Sequence, residues 1–566
     1  MHTAPHPAPS RLPLNGLSQV VGLRDQPLSE ATVSGLLAQA ARRFPQRDAA
    51  VFVAQAQRLT WAQLLAAVNT AAAGLWALGL RQGDRVGIWS PNRSEWLITL
   101  FATARIGAIL VSINPAYRQA ELEYALNKAG VSLLVTAAAF KTSNYLGMLQ
   151  NLGVCAQGGG PRLPQLRRVV RLGDEATAGM LNWAQLMAQG QGAEAALPPA
   201  EGLRCFDAIN IQFTSGTTGA PKGATLTHHN IVNNGLAVAR CMRMTEADAL
   251  CIPVPLYHCF GMVLAVLACV ATGAKMVFPS EGFEPVATLA AVQAERCTAL
   301  HGVPTMFIAE LDHPQFSSFA LRSLRTGIMA GAPCPIEVMR RVQRDMHLHQ
   351  VTIAYGMTET SPVSFQSATD DPVDKRVATV GRVLPHLEAK IVDADGRTVP
   401  LGDKGELCTR GYSVMQGYWD DPERTADAVV DGWMHTGDLA TLDPDGYCTI
   451  VGRVKDMVIR GGENIYPREV EEYLFRHPKV AAVQVFGVPD AKYGEELCTW
   501  IITKAGQSCT EDEIRAFCRE QMAHYKNPRY IRFVDELPVT VTGKPQKFIM
   551  REAMMRELGL SLQLTA

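Results

Sequence analysis

The densest chemistry in the chain lies in Thr214-Ser215-Gly216-Thr217-Thr218-Gly219-Ala220-Pro221-Lys222-Gly223, directly after the β-patterned run 208–213. Its glycines let the main chain approach an anion closely. Its hydroxyls and N–H groups can donate to phosphate oxygens, and Lys222 adds a compact positive charge. A Walker A loop would need Gly before that Lys and Ser or Thr after it; Pro221 and Gly223 stand there instead. The decapeptide reads as a phosphate loop of another kind.

Other residues are ambiguous or unremarkable when taken alone. Glu359 follows Tyr355-Gly356-Met357-Thr358. Such a carboxylate is a solvated turn residue or helix cap, unless a triphosphate lies beside it, where it could hold Mg²⁺. Asp438, in Thr436-Gly437-Asp438, is taken alone a surface residue in a turn or at a helix cap. Lys544, in Val541-Thr542-Gly543-Lys544, is solvated unless it meets charge developing on a phosphate. His258, within Pro255-Leu256-Tyr257-His258-Cys259-Phe260-Gly261, stands beside an apolar helix and reads alone as a hydrogen-bonded core residue. Arg453 taken alone is a surface residue, and Gly331-Ala332-Pro333 merely a turn.

Elements must bring these positions together. Helical periodicity covers 28–44 and 60–78, a strand is predicted at 85–90, and a helix at 95–106 should end near Gly107. The run 108–113 is short and β-rich, and Asn114-Pro115 stops it. This alternation predicts an α/β fold with layered, covered sheets. Gly- and Pro-rich stretches at 157–161 and 189–202 read as surface loops. From about 380 to 452, turn sequences such as Asp393-Ala394-Asp395-Gly396 separate short β-rich runs, which predicts a small antiparallel sheet or barrel. After Arg453 the pattern returns to α+β. Pro467 suits a first helical position, and Thr510 with Glu513 forms a capping box. The expected organisation is a flexible arm at 1–25, a large unit at 26–452 and a small one at 453–566.

Composition limits the function. At 566 residues the chain is too long for a small binding module. Its 53 Lys and Arg against 54 Asp and Glu show none of the basic excess of a nucleic-acid binder. The N-terminus has no charged segment followed by an apolar stretch, so no secretory signal is expected. The apolar run 260–274 is too short to span a bilayer and reads as a buried core helix. Thirteen cysteines without a CxxC pair read as reduced thiols used as small apolar residues, which favours the cytoplasm.

Through these segments the chain resembles the adenylate-forming enzymes: acyl- and aryl-CoA synthetases, firefly-type luciferases and peptide-synthetase adenylation domains. The phosphate loop, Tyr355–Glu359, Thr436–Asp438, Gly452-Arg453-Val454-Lys455-Asp456 and Val541–Lys544 stand in the family's order. The linking sequence, including Ile459-Arg460-Gly461-Gly462-Glu463-Asn464-Ile465-Tyr466-Pro467, is most similar to the medium-chain fatty acyl-CoA synthetase branch. The resemblance implies a catalytic Lys544 and a Mg²⁺-binding Glu359. It places ATP on 214–219 and Lys222, with Thr358 at the α-phosphate and adenine against Tyr355, Gly356 and the Gly331–Pro333 turn. It implies ribose contacts from Asp438 and Arg453. His258 is implied near the acyl carboxylate or as a gate to an acyl pocket that includes Gly302, Val303 and Pro304. Lys455 is implied as a hinge, and Arg460, Gly461 and Gly462 as lining for a CoA channel.

The expected function is therefore ATP-dependent joining of a carboxylic acid, a medium-chain fatty acid, to CoA through an acyl-adenylate. Small molecules are the expected partners, with no nucleic acid and no transmembrane segment; a homodimer stays open. Two alternatives remain: loading of a carrier protein in trans, since too little chain follows Pro545 for an attached one, and a non-catalytic nucleotide-binding homologue.

Overall fold

The computed structural model describes residues 12–155, 158–199, 202–214, 221–461, 463–519, 522–540 and 543–560. Local sequence signals fix several elements. Helix Trp61–Ala77 begins at a capping box, in which Thr60 Oγ1 accepts from Gln63 N–H and Gln63 Oε1 accepts from Thr60 N–H. Helix Ser94–Ile106 is apolar around most of its circumference and almost wholly buried, and it stops at Gly107, whose φ of 72° gives a left-handed cap. Helix Pro467–Leu474 starts on its proline, and Thr510 and Glu513 cap Glu511–Arg519 reciprocally.

Among the described residues, three large sheets frame the body. One has eight strands and mostly parallel pairs; Arg85–Trp89, Ile109–Ser112 and Ala208–Thr214 lie side by side in it. Near its edge the strand reverses into Lys222–Thr227 and then meets Gly417–Tyr418. A nine-stranded sheet holds Ala249–Cys251, Ala299–Gly302, Thr326–Ala330 and Gln350–Gly356 as parallel neighbours. Helices cover these strands, as continuous Val, Ile and Leu runs require. The third sheet is antiparallel with six strands, among them Leu387–Val392, Gly405–Gly411, Trp433–Leu442 and Cys448–Arg453.

Two expectations change. The arm at 1–25 is not flexible throughout: Gln19–Val21 is a strand on Leu387–Val392, with Val20 fully buried, because a β-branched pair can complete that sheet's edge. Residues 1–11 of the arm lie outside the described residues. The run 260–274 is a buried core helix, but its first part, Phe260–Leu267, is π-helical and only Ala268–Thr272 is α-helical.

One large apolar core runs from Val20 to Cys448. Residues from Val458 onward have separate cores, built on a smaller sheet that pairs Val480–Asp490 with Gly494–Thr503. The short turn Val454–Asp456 connects the two regions. Among the described residues, no helix is long and apolar enough to cross a membrane.

Candidate active site

The predicted positions gather where the parallel strands of the nine-stranded sheet end. Gly302-Val303-Pro304, Gly331-Ala332-Pro333 and Tyr355–Thr358 leave the carboxyl ends of three adjacent strands, and the chain after Ala249–Cys251 leads to His258. Crevices at such ends are where α/β sheets bind ligands. Gly356 is required there, since a Cβ would stand 1.7 Å from the Pro362 carbonyl oxygen.

The eight-stranded sheet supplies the phosphate-loop side. Thr214 and Lys222 face each other across its reversing strands; Ser215, Gly216, Thr217, Thr218 and Gly219 lie outside the described residues. Opposite Thr214 sits Glu359, buried in the turn Thr358–Thr360 beside buried Thr358. Its Oε1 accepts from the Tyr418 hydroxyl at 2.9 Å and the Thr214 hydroxyl at 3.2 Å. No described residue donates to Oε2.

The antiparallel sheet supplies the carboxylate of Asp438, 9% exposed and paired in register with Arg453 on the next strand. Asp438 Oδ2 accepts from the Tyr355 hydroxyl at 2.6 Å and Oδ1 from Arg453 Nε at 3.0 Å. Burial, with the Asp438 charge adding, raises the Tyr355 phenol well above its ordinary pKa, so it stays a donor. A carboxylate has about four lone-pair sites, so Asp438 can still accept from a ligand. Its turn is anchored from behind: Glu406 Oε1 accepts from Gly437 N–H at 2.9 Å, and Glu406 Oε2 lies 2.9 Å from His435 Nδ1.

Lys544 comes from the C-terminal region, on a hairpin closed by Thr540 N–H to Lys544 O and Gln546 N–H to Pro538 O, both 2.8 Å. Gly543 turns it at a φ of 77°, so close to the body that a Cβ would stand 2.8 Å from Val303 Cγ2. Burial lowers the Lys544 ammonium from its ordinary pKa, and Arg453 adds to this, while Asp438 and Glu359 oppose it. Burial, then the Lys544 charge, pushes His258 down to about 3. His258 is therefore neutral at pH 7. Its Nδ1 accepts from Phe260 N–H at 3.2 Å, which leaves the proton on Nε2. Gln212 Oε1, on the phosphate-loop strand, accepts from Cys259 N–H at 3.0 Å and ties the start of the π-helix to that strand.

The structure thus assembles Lys222, Tyr355, Glu359, Asp438, Arg453, His258 and Lys544 from three sheets and one hairpin. Gly302, Val303 and Pro304 are buried beside Gly543, and a Cβ on Gly331 would lie 3.1 Å from Val303 Cγ1. Arg460 and Gly461 are placed elsewhere. The Arg460 guanidinium pairs with Glu496 at 2.7 and 2.8 Å, and Gly461 N–H donates to Tyr493 O, all within the C-terminal region. Gly462 lies outside the described residues. Lys455 sits in the turn between the two regions. Most of the thirteen cysteines are buried. Sequence reasoning missed Tyr418 and Glu406. The one signal for Tyr418 was an aromatic hydroxyl directly after a glycine, too common to single out.

The AMP-binding enzyme model matches residues 37–419, and the model for the AMP-binding enzyme C-terminal domain matches 469–544. The chain belongs to the AMP-binding enzyme family. It is 46% identical to the mitochondrial medium-chain acyl-CoA ligase ACSF2 of Danio rerio, over 98% of this chain and 93% of that one. Among solved structures, the anthranilate CoA ligase AuaEII in complex with anthranoyl-AMP aligns with a TM-score of 0.84 at 27% identity, covering 95% of this chain and 99% of that one. ATP-bound MatB from Rhodopseudomonas palustris aligns with a TM-score of 0.80 at 30% identity, covering 93% and 99%. Membership with likeness of this extent makes the family member an AMP-forming acyl-CoA synthetase, with ATP and CoA as substrates.

Proposed function

We propose that this synthetase activates medium-chain fatty acids and that ATP and the acid meet at the cluster just described. The observation that carries the site is Lys544: a hairpin from the C-terminal region shares its surroundings with Asp438, Arg453 and Glu359 of the body. In the first half-reaction a carboxylate oxygen attacks the α-phosphorus and the bond to pyrophosphate breaks. The Lys544 ammonium meets the negative charge gathering on the α-phosphate, and the His258 Nε2–H steadies the incoming carboxylate. Asp438 and Arg453 orient the ribose. Tyr355, Gly356 and the Gly331-Ala332-Pro333 turn flank adenine, Thr358 faces the α-phosphate, and the loop 214–219 with Lys222 cradles the phosphates beyond it.

Glu359 fits Mg²⁺, because its buried carboxylate keeps Oε2 clear of described donors and a hard cation prefers such oxygens. When bound, the ion neutralises charge on the departing pyrophosphate. In the second half-reaction CoA sulfur, having lost its proton, attacks the acyl carbon, and the bond to AMP breaks. For this step the small C-terminal domain, from 453 onward, pivots at Lys455 and brings Arg460, Gly461 and Gly462 to the CoA channel. Removal of Lys544 from its place clears room beside Gly302, Val303 and Pro304. Cysteines spread through the chain as mostly buried, small apolar side chains support a cytoplasmic enzyme, and a homodimer is part of the same proposal.

Medium-chain preference rests on the naming of the Danio rerio relative and on the apolar neighbours Val303, Met306 and Phe307. Pyrophosphate release across acids of roughly C2 to C16, with aryl acids alongside, tests it. The highest kcat/KM is expected between about C6 and C12. Near-zero turnover throughout that range would reject the chain-length reading and leave the ligase activity standing.

A pH profile checks the Lys544 assignment. Since burial lowers its pKa from the ordinary lysine range, and the ammonium is the useful form, ATP–pyrophosphate exchange should fall with rising pH before an ordinary lysine would titrate. In Lys544→Arg the remaining exchange should lack that alkaline fall, because a guanidinium stays charged. An identical alkaline limb in both proteins would assign the titration to another group.

A further inference from the structure

Two opposite charges face the same part of the cleft, and one aromatic side chain stands between them. Lys222 Nζ lies 4.7 Å from the centroid of the Tyr418 ring, while the Tyr418 hydroxyl donates to Glu359 Oε1 at 2.9 Å. Among the described residues Lys222 enters no ion pair with Glu359 or any other carboxylate. A Lys–Glu contact would satisfy both groups and leave neither for a ligand. The ring separates them. It offers the ammonium a π face and gives the carboxylate a neutral donor.

Tyr418 is held firmly enough for this task. It is buried on the short strand Gly417–Tyr418, whose register is Ala224 opposite Tyr418. Its N–H donates to Thr425 Oγ1 at 2.9 Å. On either side, Gln416 N–H reaches Thr225 O at 2.9 Å and Trp419 N–H reaches Gly223 O at 2.7 Å. The phenol is thus registered against the very strand that begins with Lys222. Thr214 adds a second hydroxyl on the same Glu359 oxygen at 3.2 Å. Two donors on Oε1 use its lone pairs and turn the carboxylate so that Oε2 is the oxygen left for a cation.

We infer that Tyr418 is a positioning residue for adenylation: it presents Glu359 Oε2 to the metal of ATP and keeps Lys222 apart from Glu359, free for the phosphates. The inference rests on the proposed reading of Glu359 as the metal-holding carboxylate.

The test uses Mn²⁺ in place of Mg²⁺ on the full-length enzyme with an α,β-methylene ATP analogue, bound Mn²⁺ being measured by electron paramagnetic resonance. Tyr418→Phe keeps the ring and loses only the hydroxyl. It should weaken Mn²⁺ retention by about tenfold, the scale of a hydrogen bond to a charged group. The Mg²⁺ requirement of exchange should rise in parallel, with the KM for the fatty acid unchanged. Tyr418→Leu, which also removes the ring, should in addition raise the KM for ATP. Glu359→Gln separates the two claims. If it weakens Mn²⁺ retention and Tyr418→Phe does not, the positioning role is overturned and the metal reading survives. If neither variant changes retention, the metal reading falls and the inference with it. Equal losses in Mn²⁺ retention, fatty-acid KM and melting temperature in Tyr418→Phe would mean a structural role only, which also overturns it. Should Tyr418→Phe not fold, Thr214→Val removes the weaker donor; a smaller shift of the same sign supports the inference and no shift overturns it.

Discussion

Lys544→Ala is expected to lower carboxylate-dependent ATP–pyrophosphate exchange by about 100- to 1,000-fold, the usual scale for losing one donor aimed at developing charge. Thioester formation from a supplied acyl-adenylate and CoA should stay within a few-fold of the unaltered enzyme. The asymmetry follows from where the residue comes from. Lys544 sits on the hairpin of the C-terminal region, with Arg453, Asp438 and Glu359 as its charged neighbours. Nothing in that placement serves attack by a thiol on a carbonyl. The substitution should not unfold the protein, since Lys544 takes part in the hairpin through its main chain, which alanine retains. The check is to measure both half-reactions separately on protein with an unchanged melting temperature. Equal losses in the two would show that Lys544 serves the whole cycle and would sink the proposed division between conformations.

The second large effect is expected at Asp438. Asp438→Asn keeps the size but removes the charge, and one oxygen becomes an amide that must donate. The Tyr355 hydroxyl at 2.6 Å and Arg453 Nε at 3.0 Å then compete for a single neutral acceptor. A ribose would find no charged acceptor left. Two hydrogen bonds to a charged group are worth about 3 kcal/mol together, or about 100-fold in affinity. AMP binding followed by titration calorimetry should weaken by that factor, with the KM for the fatty acid little changed. AMP affinity within threefold of the unaltered protein, in a folded variant, would remove Asp438 from the nucleotide site.

How much of this could be read in the chain depends on the distance over which each signal acts. Caps and stops are local, so Thr60 with Gln63, Gly107, Pro467 and Thr510 with Glu513 all stand where their spacing puts them. The phosphate-loop decapeptide is legible because ten residues carry its chemistry together. Pairing across long separations leaves no such trace. Nothing near Gln19–Val21 announces Leu387–Val392 as its partner, and so the strand was expected to be a loose arm. Residues 260–274 show why burial and helix type differ: the same apolar run fits an α- or a π-helical ladder, and packing chooses. Asp438 and Arg453 look unremarkable apart until the register of two antiparallel strands sets them opposite each other. Tyr418 is harder still, because its meaning needs Lys222 from one strand and Glu359 from another sheet. The motifs gave the family's chemistry; the three-dimensional meeting of four chain segments gives the order in which side chains depend on one another.

Arg453 has one more consequence. It is the last residue of the strand Cys448–Arg453, and the turn Val454–Asp456 begins immediately after it. The side chain held by Asp438 is therefore also the first link of the tether on which the C-terminal domain is proposed to swing. The pair with Asp438 pins the root of that turn to the antiparallel sheet, so a swing of the C-terminal domain would start beyond Arg453 and leave the strand in place.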